Sequence, residues 1–311
     1  MKGIIVEMKG KILVAILIIV IIILGVLLGT KIFMNEEIRE ERGTEDEDDI
    51  LTVVIDGKKT TVPKTKYAGN KRTLAVVIDN VGDAIPQASL NEAMIVYEAT
   101  VEGNLTRFLA IYKDPKVETI GPARSARPYF IDYALENDSI FVHYGGSPKA
   151  LSEIQSLKIN NVNGIDSPGN VFWRTNKKAA PHNAMVNVEE VWKYAVSKGY
   201  KTTTTERNVL NYAETEVELQ GASVANIVDV PYSTSKVKFV YDAESKLYKR
   251  YVGNTLQKDF ITGEALTTKN IIITFAKNYT TDEENGYGRQ AIENIGTLDR
   301  ILYNRWNGSK N

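Results

Sequence analysis

Nineteen consecutive residues, Ile12 to Thr30, carry no charge and are almost entirely Ile, Leu and Val. As an α-helix the run spans about 28 Å, against about 30 Å for the hydrocarbon core of a bilayer. A stretch that is apolar all round has no polar face to offer solvent, so the run is expected to cross a membrane rather than flank a soluble core. Lys2, Lys9 and Lys11 precede it, and an acidic run follows Lys31. That bias predicts a cytoplasmic tail (1–11), a transmembrane helix (12–30) and a remainder outside the cytoplasm. The competing reading is a cleaved signal peptide, whose apolar region is shorter, about 7–15 residues, and ends in small residues. Leu27, Leu28, Gly29 and Thr30 make a poor cleavage site, which favours an uncleaved anchor. The expected localisation is the plasma membrane, single-pass, with the globular part extracellular.

The chain has no cysteine. Disulfides, thiolate metal sites, cysteine nucleophiles and a lipidated cysteine are therefore excluded, and the exterior must stand on its hydrophobic core. Residues 31–50 read as a solvated, self-repelling acidic linker, with Glu36–Arg42 open to a helical extension of the anchor. Beyond it the balance reverses: residues 50–311 hold 29 acidic and 32 basic residues, a net of +3. The excess suits an anionic ligand near an envelope but is small. No basic, aromatic-interleaved stretch suggests nucleic acid.

The exterior reads as α/β. Leu51–Ile55 and Thr60–Val62, joined across Asp56-Gly57, predict a hairpin. Leu74–Ile78, Met94–Tyr97, Thr106–Tyr112 and Ser139–His143 predict strands of a buried sheet. Helices are expected at Tyr129–Glu136, from Ser147-Pro148 to about Leu157, and from Asn187 to Lys198-Gly199. After about Gly221 the pattern turns to alternating strands: Ser223–Val230, Lys236–Tyr241, Leu247–Val252, Asn270–Phe275 and Arg300–Trp306. These signals divide the exterior into a mixed-sheet α/β domain, 51–215, and a smaller β-rich domain, 220–311.

Chemistry-bearing residues crowd into short blocks of the first domain. Asp79-Asn80 ends a strand and is followed by Pro86-Gln87; Glu98, Glu102-Gly103 and Thr106-Arg107 follow. Arg124 and Arg127 flank Ser125 just before a helix. If that turn is helical they share a face, and two guanidinium groups at a helix N-terminus suit phosphate. The ordinary alternative is pairing with surface carboxylates. His143 leads into Gly145-Gly146-Ser147, whose glycines allow close backbone approach and whose helix start offers N–H groups. His182 and Asn183 precede the third helix. Both of the chain's histidines thus adjoin these blocks. Two histidines without cysteine make a poor zinc site, so no metal is expected. No phosphate-binding loop, serine-nucleophile elbow or dinucleotide fingerprint is present. Trp173, Trp192 and Trp306 read as core or rim packing.

The runs LAVVIDN (74–80), VYEATVEGNLTRFLAIY (96–112), IGPARSARPYFIDYA (120–134), HYGGSPKA (143–150) and KKAAPHNA (177–184) resemble, in order and spacing, the YerB-like lipoproteins of Gram-positive bacteria. The resemblance runs from about Arg72 to the C-terminus. It implies an envelope protein with a YerB-like N-terminal domain and a smaller C-terminal one; it names no function. Relatives carry a lipid-attachment cysteine, absent here, and continue by another strand or two past Trp306. The layout from Gly103 to Phe130, with Gly145–Asp166 after it, is also similar to the LytR–CpsA–Psr enzymes. Those transfer anionic glycopolymers from polyprenyl pyrophosphate to peptidoglycan. That similarity implies pyrophosphate contacts for Arg107, Arg124 and Arg127 and a metal-side carboxylate for Asp79. The acidic partners of that family's arginines are replaced by Phe108 or Leu109 and by Pro128.

Three readings stay open. The first is an anion-binding envelope module using Arg107, Arg124, Ser125, Arg127, Gly145, Gly146, Ser147 and Asn183, with a cell-wall polymer or lipid-linked precursor as partner and no cofactor. The second is a transferase or hydrolase on polyprenyl-pyrophosphate-linked glycans, with Asp79, Glu102, His143 and His182 as catalytic candidates, and it is the one reading that admits Mg²⁺. The third is a partner-binding scaffold in a membrane complex.

Overall fold

Leu74 to Asp79 form strand β3, and all six of its residues are buried. A run of this kind, apolar without alternation, is expected where a strand is covered on both faces. The computed structural model bears this out. It describes residues 50–55, 58–63, 70–204, 209–210, 224–281, 289–293 and 300–302. The transmembrane, linker and Trp306 expectations lie outside them. Among the described residues no helix is long and apolar enough to cross a membrane.

Strands β1 (Ile50–Ile55) and β2 (Lys58–Pro63) pair antiparallel as a hairpin. Around β3, β4 (Ile95–Thr100), β5 (Thr106–Tyr112), β7 (Ile140–His143) and β8 (Asn161–Asn163) make a five-stranded mixed sheet in the order β4-β5-β3-β7-β8. β5 runs antiparallel to β3 and β4, and β7 runs parallel to β3 and β8. Helices α1 (Pro128–Glu136) and α2 (Pro148–Ser156) cover one face, where Ala75, Val77, Leu109 and Phe141 meet Phe130, Ile131, Ala150 and Ile154. On the other face lie helix α3 (Val188–Ser197) and a small sheet of β6 (Thr119–Ile120), β9 (Phe172–Arg174) and β10 (Ala184–Asn187). There Val76, Ile78, Phe108 and Val142 pack on Val186, Val191 and Trp192.

The helix starts follow from their caps. Ser147 accepts a hydrogen bond from the Ala150 N–H with Pro148 in the first turn. Asn187 does the same for Glu190 at the start of α3. The turn around Arg124 differs from expectation. Residues 122–126 are extended and wedge into the sheet where β3 and β7 diverge. The Asp79 N–H donates to the Pro122 carbonyl, the Arg124 N–H to the Val77 carbonyl and the Tyr144 N–H to the Arg124 carbonyl. With both edges of this segment taken by strand-like bonds, a helical turn is excluded. Arg124 and Arg127 therefore do not share a helix face. Trp192 is buried as expected, whereas Trp173 is largely exposed.

The C-terminal part builds a sheet from β11 (Ile227–Pro231), β12 (Lys236–Asp242), β13 (Leu247–Val252) and β14 (Thr255–Leu256), with β15 (Thr267–Thr268) also on β13. Four more strands pair farther on, two by two: β16 (Ile271–Ile273) with β19 (Arg300–Leu302), and β17 (Lys277–Thr281) with β18 (Arg289–Glu293). All described residues belong to one compact unit, Asp49–Asn311. The segment 259–267 hooks the two parts together. The Phe260 N–H donates to the Gln87 carbonyl, Asp259 accepts from the Ser89 N–H, and Asn91 bonds Ala265 and Thr267.

Candidate functional site

Asp79 closes β3, and its side chain is almost wholly buried at the notch where residues 122–126 enter the sheet. A carboxylate placed there needs partners, because burial without them costs several kcal/mol. It has two from distant segments. His182 Nδ1 donates to Oδ2 at 2.8 Å, and Arg124 Nε lies 3.0 Å from the same oxygen. The Arg124 N–H is not directed at that oxygen, so the contact is an ion pair without a hydrogen bond. Arg124 and His182 retain 27% and 17% of their side-chain exposure, so both reach solvent from the same carboxylate.

Arg107 lies directly across the sheet from Asp79 in the β3–β5 register. It is 6% exposed. Its Nη1 donates to the Ser125 carbonyl at 2.7 Å, and its Nε has no acceptor among the described residues. Burial and the neighbouring Arg127 charge push its pKa down to about 10, opposed by Asp79 and Glu102. The group stays cationic at neutral pH. Arg127, just ahead of α1, grips Glu102 in a bidentate pair, Nε–Oε1 and Nη2–Oε2 both 2.7 Å. Burial raises the Glu102 pKa, but the Arg127 hydrogen bonds and charge outweigh it and leave the carboxyl below its ordinary range. Three arginines thus surround two carboxylates on the α1 side of the sheet.

Other candidates are placed elsewhere. His143 is fully buried, stacked on Phe141, with Nδ1 donating to the Gly145 carbonyl at 2.8 Å and Nε2 3.3 Å from Asn161 Oδ1. Burial lowers its pKa, opposed by those two hydrogen bonds. It lines a shallow groove of about 520 Å³ along α2, with Lys158, Asp166 and Tyr200, and not the arginine group. The Gly145–Ser147 turn is bonded internally: the Gly145 N–H to Asn163 Oδ1 and the Ser147 N–H to the Ala126 carbonyl. Gly145 sits at φ +68°, where only glycine is unstrained. A Cβ on Gly146 would press on Leu151 at 3.0 Å, so this turn is glycine-rich for packing. Asn183 braces its own loop, accepting from Arg174 and donating to the Thr175 and Lys178 carbonyls.

A second polar group occupies the opposite face at the same end of the sheet. Glu98 of β4 accepts from Asn80, from the Thr106 hydroxyl and from Arg250 of β13. Arg250 lies over the Phe108 ring and has Nε and Nη1 without acceptors among the described residues. Sequence reasoning missed it. The available signal was its inward position on β13, on the same face as buried Tyr248 two residues earlier. Among the described residues no group of three or more His, Asp or Glu is placed to hold a metal.

Comparison with known proteins fits this architecture. Residues 59–201 match the family described as "Protein of unknown function (DUF3048) N-terminal domain", and residues 228–305 its C-terminal domain. "Putative lipoprotein YerB" of Bacillus subtilis (strain 168) is 36% identical over 247 residues, 78% of this chain and 72% of that protein. The crystal structure of the Bacillus subtilis YerB protein superposes with a TM-score of 0.64 at 34% identity, covering 78% of this chain and 80% of that one. With both domains matched and a relative of this identity, the chain belongs to the YerB-like, DUF3048 family, whose function is unknown.

Proposed function

We propose that this protein is held at the outer face of the plasma membrane and binds an anionic envelope ligand at the Asp79–Arg124–His182 notch. One observation carries the reading: three guanidinium groups face two carboxylates, and the surplus cation, Arg107, is buried with an unbonded Nε. A backbone carbonyl does not cancel a formal charge, and a buried uncompensated ion costs several kcal/mol. An anion at Arg124 would offset that cost. Arg124 is placed for it, being the most exposed of the ion-paired arginines here. The notch lies at the C-terminal end of β3, where neighbouring strands part, a common place for ligands in mixed α/β sheets.

Location follows from two further supports. The Bacillus subtilis relative is named a lipoprotein. This chain has no cysteine to carry a lipid, so the Ile12–Thr30 run would be the anchor. A second reading, a transferase or hydrolase on polyprenyl-pyrophosphate-linked glycans, draws on the Asp79–His182 hydrogen bond, which orients an imidazole as proton-transfer sites require.

The test is a thermal-shift titration of the full-length protein in detergent with phosphate monoesters, phosphodiesters and short-chain polyprenyl pyrophosphate. Saturable stabilisation that is lost in Arg124→Gln supports the anion site. A flat response to the whole panel at millimolar concentration would overturn it. Turnover of the pyrophosphate, abolished in His182→Gln, would favour the second reading.

A further inference from the structure

Resting on the anion site just proposed, we infer that its ligand is a phosphodiester that carries a free hydroxyl close to the phosphate, as polyol phosphates do. Two independent observations lead there.

The first is the charge balance. Arg107, Arg124 and Arg127 oppose Asp79 and Glu102, and the bidentate Arg127–Glu102 pair is self-contained. With the His182 ring counted as neutral, the remainder is Arg107 and Arg124 against Asp79, a surplus of one positive charge. One monoanion neutralises it. A phosphate monoester, mostly dianionic at neutral pH, would leave a negative charge beside buried Asp79, where the low dielectric makes the repulsion expensive. A phosphodiester carries a single charge and fits.

The second is the hydrogen bond made by His182. Its Nδ1 proton is committed to Asp79 Oδ2 at 2.8 Å. In the neutral imidazole the other nitrogen, Nε2, is then a bare acceptor. An acceptor beside an anion-binding guanidinium repels a phosphate oxygen and attracts an O–H. The preferred ligand therefore presents phosphate oxygen to Arg124 and a hydroxyl to His182.

Four probes separate the two elements in the full-length protein in detergent, at pH 7.5. They are glycerophosphoglycerol, dimethyl phosphate, glycerol 3-phosphate and glycerol. Glycerophosphoglycerol is expected to bind tightest, about fivefold tighter than dimethyl phosphate, the difference made by one neutral hydrogen bond. Glycerol is expected not to bind. His182→Gln is expected to shrink that fivefold preference toward one, read as the ratio of the two affinities measured in the same variant. Because the chain has only two histidines, imidazole nitrogen NMR gives two resolvable residues. His182 Nε2 should shift with glycerophosphoglycerol and stay put with dimethyl phosphate.

Glycerol 3-phosphate binding as tightly as the diester would overturn the charge balance while leaving the anion site intact. Equal affinity for the two diesters, with no Nε2 shift, would overturn the hydroxyl contact. Binding by none of the three anions would remove this inference together with the reading beneath it.

Discussion

Arg250 Nη2 lies 3.1 Å from each carboxylate oxygen of Glu98 and joins the C-terminal sheet to the edge strand of the central one across 152 residues. Both side chains are nearly buried, at 7% and 13% exposure. Removing one partner leaves the other charged and unpaired, which typically costs about 3–5 kcal/mol. Arg250→Ala and Glu98→Ala are each expected to lower denaturant stability by about that amount. The double variant should cost clearly less than the two singles summed, as measured by a double-mutant cycle.

Glu102 makes stability depend on acid. Its carboxyl sits below the ordinary value of 4.5 because of Arg127, despite burial. The stabilisation is present above the unfolded value and lost as pH falls through the folded one. Melting temperature should therefore drop between pH 5 and 3 partly through this group, with the range set by the roughly 4.5 reference. Glu102→Gln should flatten that part of the profile. An unchanged acid limb would contradict the pairing.

His143 behaves oppositely to a surface histidine. Burial lowers its pKa below the ordinary 6.5, so the unfolded chain takes up the proton first as pH falls. Its contribution is fully present above 6.5 and is lost between that value and the lower folded one. Its C2 proton in NMR is expected to titrate with a midpoint below the ordinary 6.5, and His143→Gln should reduce the loss of stability from pH 7 to 5.

Ser147 caps α2 while its residue is buried, with Oγ 3.2 Å from the Ala150 nitrogen. Ser147→Ala is expected to cost about 1 kcal/mol in chemical denaturation. Ser147→Asp, which keeps the acceptor, should recover part of it.

The elements that were legible in the sequence are those long enough to show a period or a cap. Thr106–Tyr112 and Leu247–Val252 coincide with β5 and β13, and α2 and α3 begin where Ser147 and Asn187 place them. The strands β6, β8, β9 and β10 span two to four residues, too few for alternation to register. They exist because neighbouring segments supply partners, a tertiary effect. The same reason explains the wedge at 122–126: its extended form is fixed by β3 and Tyr144, and nothing local in Gly121–Arg127 announces it.

At the site, residue types were readable and pairings were not. Asp79, Arg107, Arg124, Arg127, Glu102 and His182 were all singled out from the blocks they occupy. Which carboxylate holds which cation is settled by contacts such as Asp79–His182, 103 residues apart. His143 and Asn183 looked equally chemical in sequence, yet His143 meets the Gly145 carbonyl and the Asn161 amide, and Asn183 meets the Arg174 guanidinium and two loop carbonyls.

The connectivity of β3 also sets a timetable. Val76 pairs with Ala110 in an antiparallel neighbour close in sequence and with Val142 in a parallel one farther on. Contacts between distant segments form late, because loop closure must precede them. A chain synthesised amino end first can assemble β3, β4 and β5 early, add residues 122–126 and β7 next, and seat His182 on Asp79 only after β10 has arrived. The notch thus matures after the central sheet, and a molecule stalled short of residue 182 would carry a sheet but no finished site.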